Sequence, residues 1–117
     1  MKRTFFSLAL LLAVATLTAQ TKMTAREAAV KIADRILAST TYEFKNTKTG
    51  EIYKSVKKLP LDMDVKVACK YNNWHYTNGV TNMALMELGD KLGDKKYEKY
   101  VLKNMNFVFN EGNLDFF

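Results

Sequence analysis

Between Asn72 and Gly79 the chain reads NNWHYTNG, a stretch that holds its only tryptophan, Trp74, and its only histidine, His75, with Tyr76 alongside. Residues of these types at this spacing suit the binding of a sugar ring. An aromatic face stacks on the apolar C–H face of a pyranose, while a phenol, an imidazole and the amide of Asn78 hydrogen-bond its hydroxyls. Trp74, His75, Tyr76 and Asn78 are therefore the candidate substrate-binding residues. If a helix begins here, its N-terminus also favours a carboxylate such as that of a uronic acid. A second reading of the same residues makes Trp74 and Tyr76 core packing at the start of that helix. Gly79 leaves room for a ligand or another backbone to come close.

Elsewhere the chain offers little reactive chemistry. One His and one Cys do not make a metal-ligand set. Asp62 and Asp64 share a loop and supply only the outline of a calcium site. Asp90, Asp94, Glu98 and Glu111 read as solvated or capping groups, and no carboxylate pair is spaced for acid–base work. There is no phosphate-binding glycine loop, so no nucleotide cofactor is implied. No catalytic residue is assigned. Cys69 has no second cysteine to pair with and reads as a small buried apolar residue.

Three helices must position the Trp74 stretch. Thr24 to Ala38 carries apolar residues at three- and four-residue steps, with Thr24 and Glu27 in a capping-box arrangement. Its alanines predict a helix sandwiched within a core. Alternation at Tyr42, Phe44, Ile52 and Tyr53 around Asn46–Gly50 predicts a short irregular β-hairpin. Pro60 excludes a helix from the stretch that follows, which is expected to be a loop with an extended piece at Val65–Ala68. A second helix is expected from Thr77 or Asn78, with Val80, Met83, Ala84, Leu88 and Leu92 on one face and Leu85 and Met86 widening the apolar surface, so that it is buried on most sides. Gly93 stops it, and Asp94 caps a third helix with the stripe Tyr97, Tyr100, Val101, Met105 and Val108. So tight a link makes these two an antiparallel hairpin. Glu111–Asn113 reads as a turn, after which Leu114, Phe116 and Phe117 must either fold back or lead into further chain.

The N-terminus reads as an export signal. Lys2 and Arg3 precede an apolar run from Phe5 to Leu17, and Ala19 is a small residue at the expected cleavage point, with Ala13-Val14-Ala15 as a rival cleavage signal. The run is shorter than the roughly 20 apolar residues of a membrane span. Residues 1–19 are thus expected to be removed, leaving 20–117 as one exported domain, periplasmic or extracellular, with no membrane anchor. Loss of Lys2 and Arg3 lowers the formal charge from +6 by two. The remaining lysines are dispersed, which argues against a nucleic-acid partner.

The run WHYTNGVTNMALMELGDKLGDKKYEKYVLKNMNFVF resembles the first helical hairpin of the unsaturated glucuronyl and rhamnogalacturonyl hydrolases, glycoside hydrolase families 88 and 105. The shared features are Trp-x-Tyr-x-x-Gly at the start of a core helix and Leu-Gly-Asp-Lys-Lys-Tyr at the hairpin turn. The resemblance implies an all-α fold of helical hairpins, the N-terminal part of an (α/α)6 barrel, with its site over the N-termini of inner helices. It implies an oligosaccharide substrate ending in an unsaturated uronic acid, of the pectin or rhamnogalacturonan type. The family hydrates the C4=C5 bond with an Asp as general acid and base. No position here matches the family's catalytic aspartates, which belong to later hairpins. The expectation is a substrate-binding N-terminal portion, inactive alone. The alternative is a non-catalytic exported helical interaction module.

Overall fold

The computed structural model describes residues 22–61, 64–110 and 112–117. The expected signal segment, Asp62 of the Asp62–Asp64 pair and Glu111 of the last turn lie outside them. The chain is mostly helical, with a small three-stranded antiparallel sheet. Helix α1 runs Ala25–Ser39, α2 Tyr76–Leu92 and α3 Lys95–Val108, and a short 3-10 turn spans Leu114–Phe116. Strands β1 (Phe44–Asn46), β2 (Ile52–Tyr53) and β3 (Val65–Val67) are ordered β2-β1-β3.

Helix α1 begins as its sequence dictates. The Glu27 N–H donates to Thr24 Oγ1 at 3.2 Å, and the Thr24 N–H donates to Glu27 Oε2 at 2.8 Å. Such a cap stabilises a helix by about 1 kcal/mol. The expectation that α1 is sandwiched is wrong. Only Ala33 is buried, and Ile32 faces solvent. Alanine permits a close neighbour without supplying one.

The α2–α3 hairpin turns where expected. Gly93 adopts φ 66°, a left-handed conformation cheap only for glycine, and Asp94 caps α3 by accepting from the Lys96 N–H at 3.0 Å. Helix α2 is not buried on most sides as expected, although Leu88 and Leu92 do pack against the core. Val80 and Met83 point outward, Met83 with 73 % of its surface exposed. Asn82, Leu85 and Gly89 point inward instead, at steps of three and four. The reason lies at the crossing. A Cβ on Gly89 would stand 3.0 Å from the Asp94 carbonyl and 3.3 Å from Tyr97 Cβ, so α3 approaches α2 where only glycine leaves space.

Two cores result. Ala33, Leu85, Tyr97, Tyr100 and Val101 fill the helical one. Phe44, Val56, Val65 and Phe116 fill the other, beneath the sheet. The hairpin is tied by Asn46, whose Oδ1 accepts from the N–H groups of Lys48 and Thr49, both at 2.9 Å, while Gly50 takes φ 78°. The expected extended piece joins it as β3, with Phe44 opposite Val67 and Asn46 opposite Val65. Phe116 folds back onto Phe44, their rings 6.1 Å apart and near-perpendicular. Cys69 is buried, as expected. Among the described residues no helix is long and apolar enough to cross a membrane.

Candidate functional site

The site forms where the loop after β3 meets the start of α2. Three anchors hold that loop. Asn72 Nδ2 donates to the Thr41 carbonyl at 2.7 Å. The Cys69 thiol lies 3.9 Å from the Ser39 carbonyl. Asn78 Nδ2 donates back to the Lys70 and Asn73 carbonyls at 2.9 and 3.1 Å. Asn78 is thus chiefly a loop-holding residue, and only its Oδ1 is left for a ligand.

His75 is the cap of α2, which therefore starts one or two residues earlier than expected. Its Nδ1 accepts from the Thr77 N–H at 3.4 Å and lies 2.8 Å from Thr77 Oγ1. An accepting Nδ1 puts the ring proton on Nε2, which makes Nε2–H the donor that His75 can offer. A sequence pattern would not find this cap, because His is not among the usual capping residues.

Trp74 and Tyr76 are not core residues. They are 62 % and 78 % exposed, which removes the packing reading of both. Trp74 stands edge-on to Phe109, with ring centroids 5.5 Å apart, and the His75 and Tyr76 rings are tilted 35° at 5.5 Å. Beside them opens a cavity of about 230 Å³, with Trp74, His75, Tyr76 and Asn78 all in its wall. The structure thus brings the four sequence-chosen residues together. Adding a Cβ to Gly79, also in the wall, would meet nothing within 4 Å.

The cavity floor holds residues that the sequence did not advertise. Asn82 from α2 and Asn104 from α3 meet there, with Asn104 only 1 % exposed. Asn104 Nδ2 donates to Asn82 Oδ1 at 3.1 Å, and Asn104 Oδ1 accepts from the Tyr42 hydroxyl at 2.9 Å. Burial pushes the Tyr42 hydroxyl up to about 12, so it remains a donor at neutral pH. Asn72 also borders the cavity, and its buried Oδ1 has no partner among the described residues. The signal that could have found these residues is an asparagine on an otherwise apolar helical stripe. The cavity wall contains no Lys, Arg, Asp or Glu among the described residues. No group of three His, Cys, Asp or Glu able to hold a metal occurs among them either.

A larger, more open groove of about 500 Å³ lies between α1 and α2. Ala29, Ile32 and Ile36 line one side and Val80, Ala84 and Leu88 the other. Of its polar lining residues, Thr81, Glu87 and Lys91, the last two are already paired with each other at 2.8 Å, and the groove is not a candidate for chemistry.

No protein-family model matches the chain, and no match was found among curated proteins or solved structures.

Proposed function

We propose that this protein binds carbohydrate at the Trp74 cavity, as the substrate-binding N-terminal portion of an exported hydrolase acting on oligosaccharides that end in an unsaturated uronic acid. The observation that carries the carbohydrate reading is the exposure of Trp74 and Tyr76 at the mouth of a small cavity floored by asparagines. Exposed aromatic faces above an amide-rich floor suit a ring with one apolar face and a rim of hydroxyls. The hydrolase part rests on the resemblance. It is supported by the cavity's place at the N-terminus of α2 and by the apolar groove between α1 and α2. A further helical hairpin of an (α/α)6 barrel would cover that groove. Chemistry at the C4=C5 bond would then require an aspartate supplied from outside the residues described.

Fluorescence of the sole tryptophan tests this. Titration with a pectin-derived unsaturated disaccharide should change the emission saturably. The ultraviolet absorbance of the substrate double bond should meanwhile stay constant. Unchanged emission up to high millimolar disaccharide would overturn the carbohydrate reading. Steady loss of the absorbance would show that the chain is catalytic by itself.

A further inference from the structure

We infer that Asn82 is a specificity residue of the Trp74 cavity, donating from its Nδ2 to an acceptor oxygen of an uncharged sugar ring; this rests on the carbohydrate reading above.

Asn82 is 7 % exposed and sits in the α2–α3 contact, one helical turn from Leu85. An amide buried there costs stability unless it is hydrogen-bonded, and a leucine would fill such a contact without that cost. The residue is instead held by a directed chain. The Tyr42 hydroxyl donates to Asn104 Oδ1, and Asn104 Nδ2 donates to Asn82 Oδ1. Once Tyr42 acts as donor, each amide below it has one orientation. The free end of the chain is Asn82 Nδ2, on a residue that lines the cavity. Side chains from three parts of the fold thereby aim one N–H donor.

The chemistry of the wall selects the ligand class. A carboxylate entering this cavity would lose water and find no Lys or Arg in exchange, and the Thr77, Asn78 and Gly79 N–H groups that could have favoured it at the start of α2 are already bonded to His75. Hydroxyl and ring oxygens, by contrast, match amides that both donate and accept. The volume, about 230 Å³, lies below the roughly 300 Å³ at which pockets for drug-sized ligands begin. One ring fits, with Trp74 against its apolar face. The cavity therefore takes a neutral hexose or deoxyhexose unit, and any uronate of the same oligosaccharide lies outside it.

The test uses methyl glycosides of glucose, galactose, mannose and rhamnose against methyl glucuronate and methyl galacturonate. Binding to the intact chain is followed by the side-chain amide resonances in ¹H–¹⁵N spectra. At least one neutral glycoside should bind, shift the Asn82 side-chain resonance, and bind at least tenfold more tightly than either uronate. Asn82→Asp keeps an acceptor for Asn104 but places a charged acceptor where the donor stood, so neutral binding should fall at least tenfold. Suppose neutral glycosides bind and Trp74→Ala abolishes that binding. An unmoved Asn82 resonance with an unimpaired Asp variant would then overturn this inference and leave the carbohydrate reading intact. Preference for the uronates would overturn the neutral-ring assignment. Absence of binding by every glycoside would refute the carbohydrate reading itself, and this inference with it. Should the Asp variant fail to fold by circular dichroism, the wild-type Asn82 resonance decides.

Discussion

Asn104 Nδ2 lies 3.1 Å from Asn82 Oδ1, and this one bond joins α3 to α2 directly beneath the Trp74 cavity. It is the inner end of a relay that begins at Tyr42, outside both helices. The relay couples the strand region to the helical hairpin, so the shape of the cavity depends on a tyrosine that does not line it.

Removing that hydroxyl should therefore be felt at a distance. Tyr42→Phe leaves the buried Asn104 Oδ1 without its donor. The expected loss of stability is about 1–3 kcal/mol, the usual cost of an unsatisfied buried acceptor. Urea unfolding measures it. Because Asn104 then loses the donor that fixes its orientation, the Asn82 side-chain resonance should also move in the variant before any ligand is added. An unchanged midpoint together with an unmoved resonance would show that the relay does not orient the floor.

Trp74 should behave in the opposite way. It is largely solvent-exposed, and its main neighbour is the edge of Phe109. Trp74→Ala should change stability by no more than about 0.5 kcal/mol, as exposed positions usually do. A loss of several kcal/mol in the same unfolding measurement would mean that the tryptophan is structural after all.

Two glycines of the same helix make a paired prediction. Gly89→Ala pushes a methyl group against the Asp94 carbonyl and Tyr97, and should destabilise by about 1–3 kcal/mol despite alanine's helix propensity. Gly79→Ala meets nothing within 4 Å and should stabilise by about 0.5–1 kcal/mol. Thermal unfolding of both variants checks the pair. Equal effects would contradict the close crossing of α2 and α3 at Gly89.

Acid stability has an identifiable contributor in Asp34. Its carboxylate accepts from Lys96 Nζ at 2.8 Å and from the Tyr97 hydroxyl at 2.8 Å. The Lys96 bond first, then the Tyr97 bond, holds Asp34 below the usual carboxylate range. A folded-state value below the unfolded one stabilises the fold at pH above the unfolded value, near 3.9. That contribution disappears as pH falls through the folded value. Asp34→Asn should accordingly be less stable than wild type above about pH 4, with the two converging at lower pH. The difference is small, since water screens a half-exposed pair. Urea midpoints across pH would report it, and parallel curves would contradict it.

Local signals proved reliable along this chain, and long-range ones did not. Thr24 with Glu27, Gly93 with Asp94, and Asn46 with Gly50 each specify a cap or turn within a few residues. The structure has all three. The burial of α2 was overestimated because Val80, Met83 and Met86 are apolar yet exposed, while Asn82 and Gly89 turn inward. What orients the helix is the backbone approach at Gly89 and the hydrogen bond at Asn82, and both depend on α3. Phe116 was legible as a residue needing cover, but its partner Phe44 lies far away in sequence. At the site, composition drew attention to Trp74, His75, Tyr76 and Asn78. It gave no hint of Asn104, whose importance comes from Tyr42 and Asn82.

The central claim, that the Trp74 cavity is a carbohydrate site, is tested most directly by calorimetric titration of the unsaturated disaccharide into wild type and Trp74→Ala side by side. The account predicts saturable binding to wild type and a loss of at least tenfold in a variant that remains folded. Equal heats from the two proteins, or none from either, would contradict it.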